Sequence, residues 1–568
     1  MHLLSWLDEP ADDRGVHLYD PDTGWRLRSY AELAAEVHRV AARLRATGAR
    51  PGDVVSLVLS APWSFVTAFW GTVAAGMVPS PLASPLTFGG LEHYVPHLAA
   101  VFATGEPAVV LTDDALADVV ATAVAASRCA PQVTRLESDG AGVGDGAADT
   151  RVTPRAPGEL ALLQFTSGST GAPKGVRISR AALEANVAAI RGWLGWRDED
   201  VFASWLPLYH DMGLIGGMVT PIASGTELWL LTPDQFVRSP LVWLECFGRH
   251  GATLTTSPSF GYGYTARRVR PDDLAGLDFS RWRVAILGAE RIDPAAVAAF
   301  HRLVGPHGFD PDALVGAYGL AEVTLAASGT PPRSGVRLVR TATTALAVGE
   351  PVTIGDVGRL GVDDVHGAGW MTSCGVALDG LAARIVDDDG AELPEGVFGE
   401  IELTGDSLAD GYLVNGDDGP RAVSFGASGL RTGDSGFVDD GELFVVGRLG
   451  ESMKVRGASI HAEDVELELA ELDGVPRVRS GVAFGFLDGA HVAAVFVEGD
   501  EIDPRWVEAA TARVRVLTAR TAEPVVLRGA RGAIARTSSG KPRRRTMWSE
   551  FVTADPKWTA AHGRVPQA

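Results

Sequence analysis

The first third of the chain switches repeatedly between a helical and a strand period, and this constrains the fold more than any other feature. "YAELAAEVHRVAARLRATG" spaces its apolar residues along one helix face and ends on a glycine stop. "DVVSLVLS" then reads as a buried strand, "PAVVLTDD" as another, and "ADVVATAVAA" as a further helix. Strands and helices in this order predict parallel sheets covered by helices, an α/β architecture. The longest apolar passage, "APWSFVTAFWGTVAAGMVP", is bounded by prolines and carries Ser64, Thr67 and two glycines. It reads as a buried helix of a large α/β protein rather than a membrane span.

At 568 residues the chain exceeds what one hydrophobic core holds, so two or more domains are expected. The stretch "ESDGAGVGDGAADTRVTPRAPG" reads as a surface linker. From about residue 395 the texture turns to short strands with glycine turns, "VFGEIELTG", "GYLV", "GELFVVGR" and "SMKVRG". A new unit with its own strands and helices begins after Arg448, which puts a domain boundary near Gly450. The net charge of −21 argues against general nucleic-acid binding, which needs a basic footprint. Cys129, Cys246 and Cys374 are far apart and odd in number, as expected of a reducing cytoplasm. The acidic N-terminal segment lacks the basic head of a secretory signal.

Against this frame stands "LLQFTSGSTGAPKGV", which joins hydroxyls, glycines and one lysine behind an apolar run. Such a loop suits a polyphosphate, but it is not a P-loop, because Lys174 follows Pro173 and precedes Gly175. "ARTSSGKPRRR" repeats the combination near the far end and also fails the spacing, with Ala535 where the first glycine should stand. Between them lie "SWLPLYHDMGL", "VAILGAERID", "GAYGLAEVTL" and "GLRTGDSGFVDDGELFVVGRLGESMKVRG". "SPSFGYGYTARR" contains Gly261-x-Gly263-x-x-Ala266, a weak dinucleotide pattern with no strand-then-helix unit and acidic residue to support it.

In order and spacing over nearly the whole chain, this set resembles the adenylate-forming (ANL) superfamily of acyl-CoA synthetases, peptide-synthetase adenylation domains and luciferases. Within it, "LPLYHDMGLIGG", the "GAE" turn and "GLAEVTL" look most like fatty acyl-AMP ligases. The long stretch 326–372 adds to this, because those ligases carry an insertion there. The resemblance implies a large N-terminal domain, residues 1–448, of two helix-covered sheets plus a β-rich subdomain at about 375–448. A small mobile α+β C-terminal domain, 449–568, would follow.

The implied reaction is attack of a carboxylate on the α-phosphorus of ATP, giving an acyl-adenylate and pyrophosphate. Two anions must meet, so catalysis is largely positioning and charge neutralisation. By resemblance, Thr166, Ser167, Gly168, Ser169, Thr170, Gly171 and Lys174 wrap the β- and γ-phosphates, the glycines allowing close backbone approach. Glu322 would ligate Mg2+, a hard cation suited to carboxylate and phosphate oxygens. Asp434 would bind the ribose hydroxyls, with Arg448 helping to hold the nucleotide. Gly288, Ala289 and Glu290 would frame the adenine together with Tyr318, whose ring would stack on the base, and Ala317, Gly319 and Leu320 would also contribute to nucleotide binding. His210 falls where the family places a side chain between the nucleotide and acyl sites, and the GYGY segment falls on the acyl pocket. Lys541 would bridge the carboxylate and the α-phosphate as the pentavalent centre forms.

Two departures from the family pattern stand out: glycine at the pivot position, Gly450, and "RGASIHAEDVE", which lacks the usual aromatic-proline flavour. The expected acceptor is an acyl carrier protein in trans, since no carrier domain follows the lysine motif. CoA, an amine acceptor, a small oxyacid substrate and a catalytically dead nucleotide-binding regulator are the alternatives. Neither nucleic acid nor integral membrane association is expected, and a cytoplasmic location is.

Overall fold

The computed structural model describes residues 2–563, apart from 86–90, 137–152, 154–158, 167–172, 343–345, 366–368, 414–422, 427, 449–450, 456–457, 473, 476–478, 488–489, 500, 519 and 537–540. Two compact units emerge. One comprises Met1–Val336, Val376–Ala382 and Thr404–Gly419, the other Arg337–Gly375, Ala383–Leu403 and Pro420–Ala568.

The helix predicted from "YAELAAEVHRVAARLRATG" is Tyr30–Ala46, opened by a capping box in which Ser29 and Glu32 satisfy each other's backbone amides. The apolar passage forms the helix Pro62–Ala74 with most of its residues buried, and "ADVVATAVAA" is the helix Ala117–Ala126. No helix among the described residues is long and apolar enough to cross a membrane. The strands Val54–Val58, Val78–Pro81, Val109–Thr112 and Gln132–Arg135 form one wholly parallel sheet.

A second sheet of nine strands has a parallel centre. Its strands Leu314–Gly319, Val284–Leu287, Leu254–Ser257, Val201–Ser204, Glu227–Leu230 and Gly15–Asp20 run side by side in one direction. Antiparallel strands close both edges: Gly24–Ser29 on one side, Ala326–Gly329 and Val376–Ala377 on the other. A separate antiparallel sheet joins Leu160–Thr166, Lys174–Ser179 and Tyr412–Leu413.

In the second unit, part of the stretch 326–372 folds into a three-stranded antiparallel sheet, Ile354–Arg359, Arg337–Thr341 and Trp370–Thr372. Val339, Leu346 and Met371 pack there with Phe398, Phe437, Phe444 and Val446. These phenylalanines sit on or beside a five-stranded sheet containing Gly399–Gly405, Leu430–Asp439 and Glu442–Arg448. Further along, Ser480–Leu487, Ala490–Glu498, Ala522–Gly529 and Thr559–His562 make a four-stranded sheet. Its alternating residues serve two cores: Val482, Ala493 and Val495 pack with the helices Ala462–Ala470 and Pro504–Leu517. Ala483, Ala494 and Phe496 pack with Met547 and Phe551 of the helix Arg544–Val552.

Candidate active site

Four of the motifs stand at one edge of the nine-stranded sheet, because each follows the carboxyl end of a parallel strand. Residues 205–211 follow Val201–Ser204, Pro258 follows Leu254–Ser257, residues 288–290 follow Val284–Leu287, and Leu320 follows Leu314–Gly319. In open α/β sheets that edge is where ligands bind. Gly288 lies so close to its neighbour that an added Cβ would stand 3.3 Å from Ala317 O, so the "GAE" and "GAYG" segments are adjacent. Ala289 adopts φ of +64°, a turn conformation uncommon for a residue with a Cβ. Glu290 is tied inward: its Oε1 accepts from Ser259 Oγ and from Phe260 N, both at 2.8 Å, and so anchors the start of the helix Ser259–Arg268.

Glu322 sits on a strained turn. Thr324, fully buried, has φ of +72° and ψ of −62°, and Leu325 N donates to Val323 O at 2.9 Å, which makes a γ-turn. That conformation costs on the order of 1–3 kcal/mol and persists only where the surroundings impose it. They do: Thr324 Oγ1 donates to Ser407 O at 2.8 Å, and Ala409 N donates to Glu322 O at 2.9 Å. Gly319 is obligatory here, since a Cβ would lie 1.9 Å from Leu325 O. The buried Glu322 carboxylate accepts from the Tyr412 hydroxyl at 2.5 Å, and the Tyr412 ring centre lies 6.0 Å from Lys174 Nζ.

Strand register supplies the rest of this cluster. Lys174 pairs with Thr166 at the mouth of the loop, and Tyr412 pairs with Val176. Ser167, Gly168, Ser169, Thr170 and Gly171 lie outside the described residues, as does Gly450. Among the described residues no group of three or more His, Cys, Asp or Glu could hold a metal unaided. One buried carboxylate is nevertheless a fit donor set for Mg2+, which commonly binds through one or two carboxylates and completes its shell with phosphate oxygens and water.

His210 is held by its neighbours. Its Nδ1 lies 2.6 Å from Asp211 Oδ1, which also accepts from Met212 N at 2.7 Å. A π-helix, Met212–Val219, follows directly; such helices are rare and frequent at functional sites. Gln164, buried in the strand Leu160–Thr166, donates Nε2 to Tyr209 O at 2.8 Å and thereby links that strand to the His210 segment.

The second unit carries the remaining candidates. Asp434 and Arg448 are directly opposite each other on antiparallel strands, and Arg448 Nε donates to Asp434 Oδ1 at 3.0 Å. Lys541 is exposed, beside a clamp in which Arg536 and Pro542 pair and Arg543 N donates to Ala535 O at 2.7 Å. Its arginine neighbours are not one solvated patch. Arg544 is buried and pairs with Glu463 at 3.0 Å, with Glu466 at 3.1 Å and with Glu451. Burial alone would weaken its proton affinity, but attraction to Glu463, Glu466 and Glu451 outweighs that and raises it.

Sequence reasoning did not single out Tyr412, Gln164 or Arg544. Gln164 had a signal, a lone amide in the apolar run "LALLQFT". A stronger one bears on the lysines: only Lys174, Lys454, Lys541 and Lys557 occur among 50 basic residues. A chain that otherwise uses arginine keeps lysine at both loop motifs, where a compact point charge suits phosphate.

A family profile described as AMP-binding enzyme matches residues 9–413. A Caulobacter vibrioides protein provisionally named an acyl-CoA synthetase is 36% identical over 527 residues, spanning 90% of this chain and 88% of its own. The long-chain-fatty-acid–AMP ligase FadD26 of Mycobacterium marinum is 31% identical over 471 residues, or 80% of this chain and 78% of its own. A solved structure from studies of fatty acyl-adenylate ligases of E. coli and L. pneumophila aligns with a TM-score of 0.85 at 30% identity, covering 97% of each chain.

Proposed function

The chain belongs to the adenylate-forming family of AMP-binding enzymes, ATP-dependent ligases, and on that premise we propose that it activates a fatty acid as its acyl-adenylate and passes the acyl group to a carrier-protein thiol in trans. The observation that carries the first step is the Lys174–Tyr412–Glu322 cluster, a cation and a buried carboxylate joined through one phenol beside the loop motif. In this reading Thr166, Lys174 and the loop between them hold the β- and γ-phosphates. Glu322 would hold Mg2+, which when bound supplies charge neutralisation to the phosphate oxygens. Residues 288–290 and 317–320 would receive the adenine, Asp434 and Arg448 the ribose, and His210 would stand between nucleotide and acid. A carboxylate oxygen attacks the α-phosphorus, the bond to the bridging oxygen of the β-phosphate breaks, and pyrophosphate leaves. Lys541 would stabilise charge on both reacting groups, delivered by residues 449–568 acting as a mobile domain about Gly450.

The folded insertion, with its strands Arg337–Thr341, Ile354–Arg359 and Trp370–Thr372, supports an acyl-AMP ligase over a CoA synthetase, as does the likeness to FadD26. The name of the Caulobacter relative favours the second reading, transfer to CoA. Incubation of the enzyme with a fatty acid, ATP and either CoA or a phosphopantetheinylated carrier separates the two. Acid-dependent pyrophosphate release with acylation of the carrier is expected. Rapid CoA-thioester formation would replace the acceptor, and pyrophosphate release indifferent to any added acid would overturn the adenylation reading.

A further inference from the structure

Asp434 is presented by a break in strand pairing, and the side chain that fills the break belongs to Glu400. Across the antiparallel strands Gly399–Gly405 and Leu430–Asp439, Glu400 lies opposite Ser435 and Glu402 opposite Arg431. Ile401 alone therefore faces Thr432, Gly433 and Asp434. Such a bulge strips backbone amides of their ladder partners, and a buried unpaired N–H costs about as much as a lost hydrogen bond. Gly433, at φ of +70°, turns its N–H onto Glu400 Oε1 at 2.9 Å. The other oxygen, Oε2, accepts from Arg431 Nε at 2.8 Å and pairs with its Nη2. Arg431 is itself fixed, donating Nη2 to Asp387 O at 3.0 Å and Nη1 to Asp388 O at 3.3 Å. The Thr432 hydroxyl closes the bulge, donating to Ile401 O at 2.8 Å and accepting from Asp434 N at 3.1 Å.

Stability does not explain a buried strand carboxylate such as Glu400, because well-packed apolar residues in place of a buried ion pair are often neutral or stabilising. An apolar side chain, however, could not accept the Gly433 amide, which is one peptide from Asp434. We infer that Glu400 is a positioning residue for the nucleotide, fixing with Arg431 the 432–434 bulge so that the Asp434 carboxylate meets the ribose hydroxyls. This rests on the ribose-binding reading of Asp434.

The test compares kcat/KM for ATP with that for 2′-deoxy-ATP and 3′-deoxy-ATP, by pyrophosphate release. The wild type is expected to prefer ATP by about tenfold or more, as for a hydrogen bond to a charged group, and Asp434→Ala to erase the preference. Glu400→Gln keeps an acceptor for Gly433 N–H but loses the ion pair with Arg431. It should cut the preference by about threefold or more and raise KM for ATP more than it lowers kcat, as lost ground-state binding does. The preference is a ratio, so a partly unfolded preparation does not distort it. Should Glu400→Gln give no folded protein, the paired replacement Glu400→Gln with Arg431→Gln sets two neutral amides face to face and is read in the same way. An unchanged preference in the folded variant overturns the inference while leaving Asp434 in its role. Failure of both variants to fold assigns Glu400 to the fold alone and overturns it equally. A wild type with no preference, or Asp434→Ala that retains it, removes the ribose role and this inference with it.

Discussion

Replacing Arg544 by methionine removes a guanidinium that Glu451, Glu463 and Glu466 of the second unit share. Nη1 meets Glu463 at 3.0 Å as well as Glu451, and Nη2 meets Glu466 at 3.1 Å. Glu466 also takes Val482 N at 2.9 Å, so the same group ties the lysine-motif helix to the strand Ser480–Leu487. With charge centres about 4 Å apart and an effective dielectric near 20, each pair contributes about 4 kcal/mol of attraction. Desolvation of a guanidinium only 9% exposed offsets several kcal/mol of that sum. What the variant loses is larger than the net worth of the pairs, because the buried Glu466 is left beside the half-buried Glu451 and Glu463. Stripping one partner from a buried pair costs about 3–5 kcal/mol. At about 1.4 kcal/mol per tenfold, hydrogen exchange through local opening should quicken by roughly two to three and a half orders of magnitude. Mass spectrometry on peptides covering 462–470 and 544–552 at neutral pH reads this directly. Exchange within about threefold of wild type at neutral pH would refute the assignment of Arg544 as the organiser of this cluster.

Three further outcomes follow from other parts of the fold. Lys541→Ala should lower acid-dependent pyrophosphate release by about two orders of magnitude or more, as for an electrostatic stabiliser, with circular dichroism unchanged; near-normal release would remove the lysine from the chemistry. Gly319→Ala forces a methyl to within 1.9 Å of Leu325 O and should cost about 3 kcal/mol in urea unfolding, whereas a wild-type midpoint would show that the Glu322 turn can yield. Burial, then Arg249 and His17, lowers the proton affinity of His250, so the folded state binds its proton less readily than the unfolded chain. Its contribution is present above pH of about 6.5 and is lost as pH falls; His250→Gln should flatten the decline in thermal midpoint between about pH 7 and 5, and an unaltered slope would exclude it.

The parts legible in the sequence are those governed by local period and local spacing. "ADVVATAVAA" is a helix from its first residue to its last, and the alternation of such segments is enough to call for parallel sheets. The candidate motifs stood out for a related reason: a phosphate loop or a lysine motif must be contiguous, since adjacent backbone amides and hydroxyls act together on one ligand. The residues that hold those groups are not contiguous with them. Tyr412 reaches Glu322 across 90 positions, and Glu400 reaches Gly433 across 33. Nothing near Tyr412 distinguishes it from a core tyrosine, and Glu400 reads as the polar member of an alternating strand.

The arginine run after Lys541 shows the same limit from the other side. In sequence three adjacent arginines look like a solvated patch, while in the fold Arg544 is buried beneath acids from residues 451, 463 and 466. The difference bears on mechanism. A lysine that must neutralise charge at a transient centre gains only if it arrives in the right place, because a misplacement of about 1 Å can cost a hundredfold in rate. A lysine side chain is long and flexible, and Lys541 is exposed. Three residues on, Arg544 starts a helix whose first residue is pinned by three ion pairs, so the chain entering that helix has a fixed origin. In the role proposed for Lys541, charge at the tip and rigidity at the base are separate requirements that two different cations would meet, and only the first leaves a local mark in the sequence.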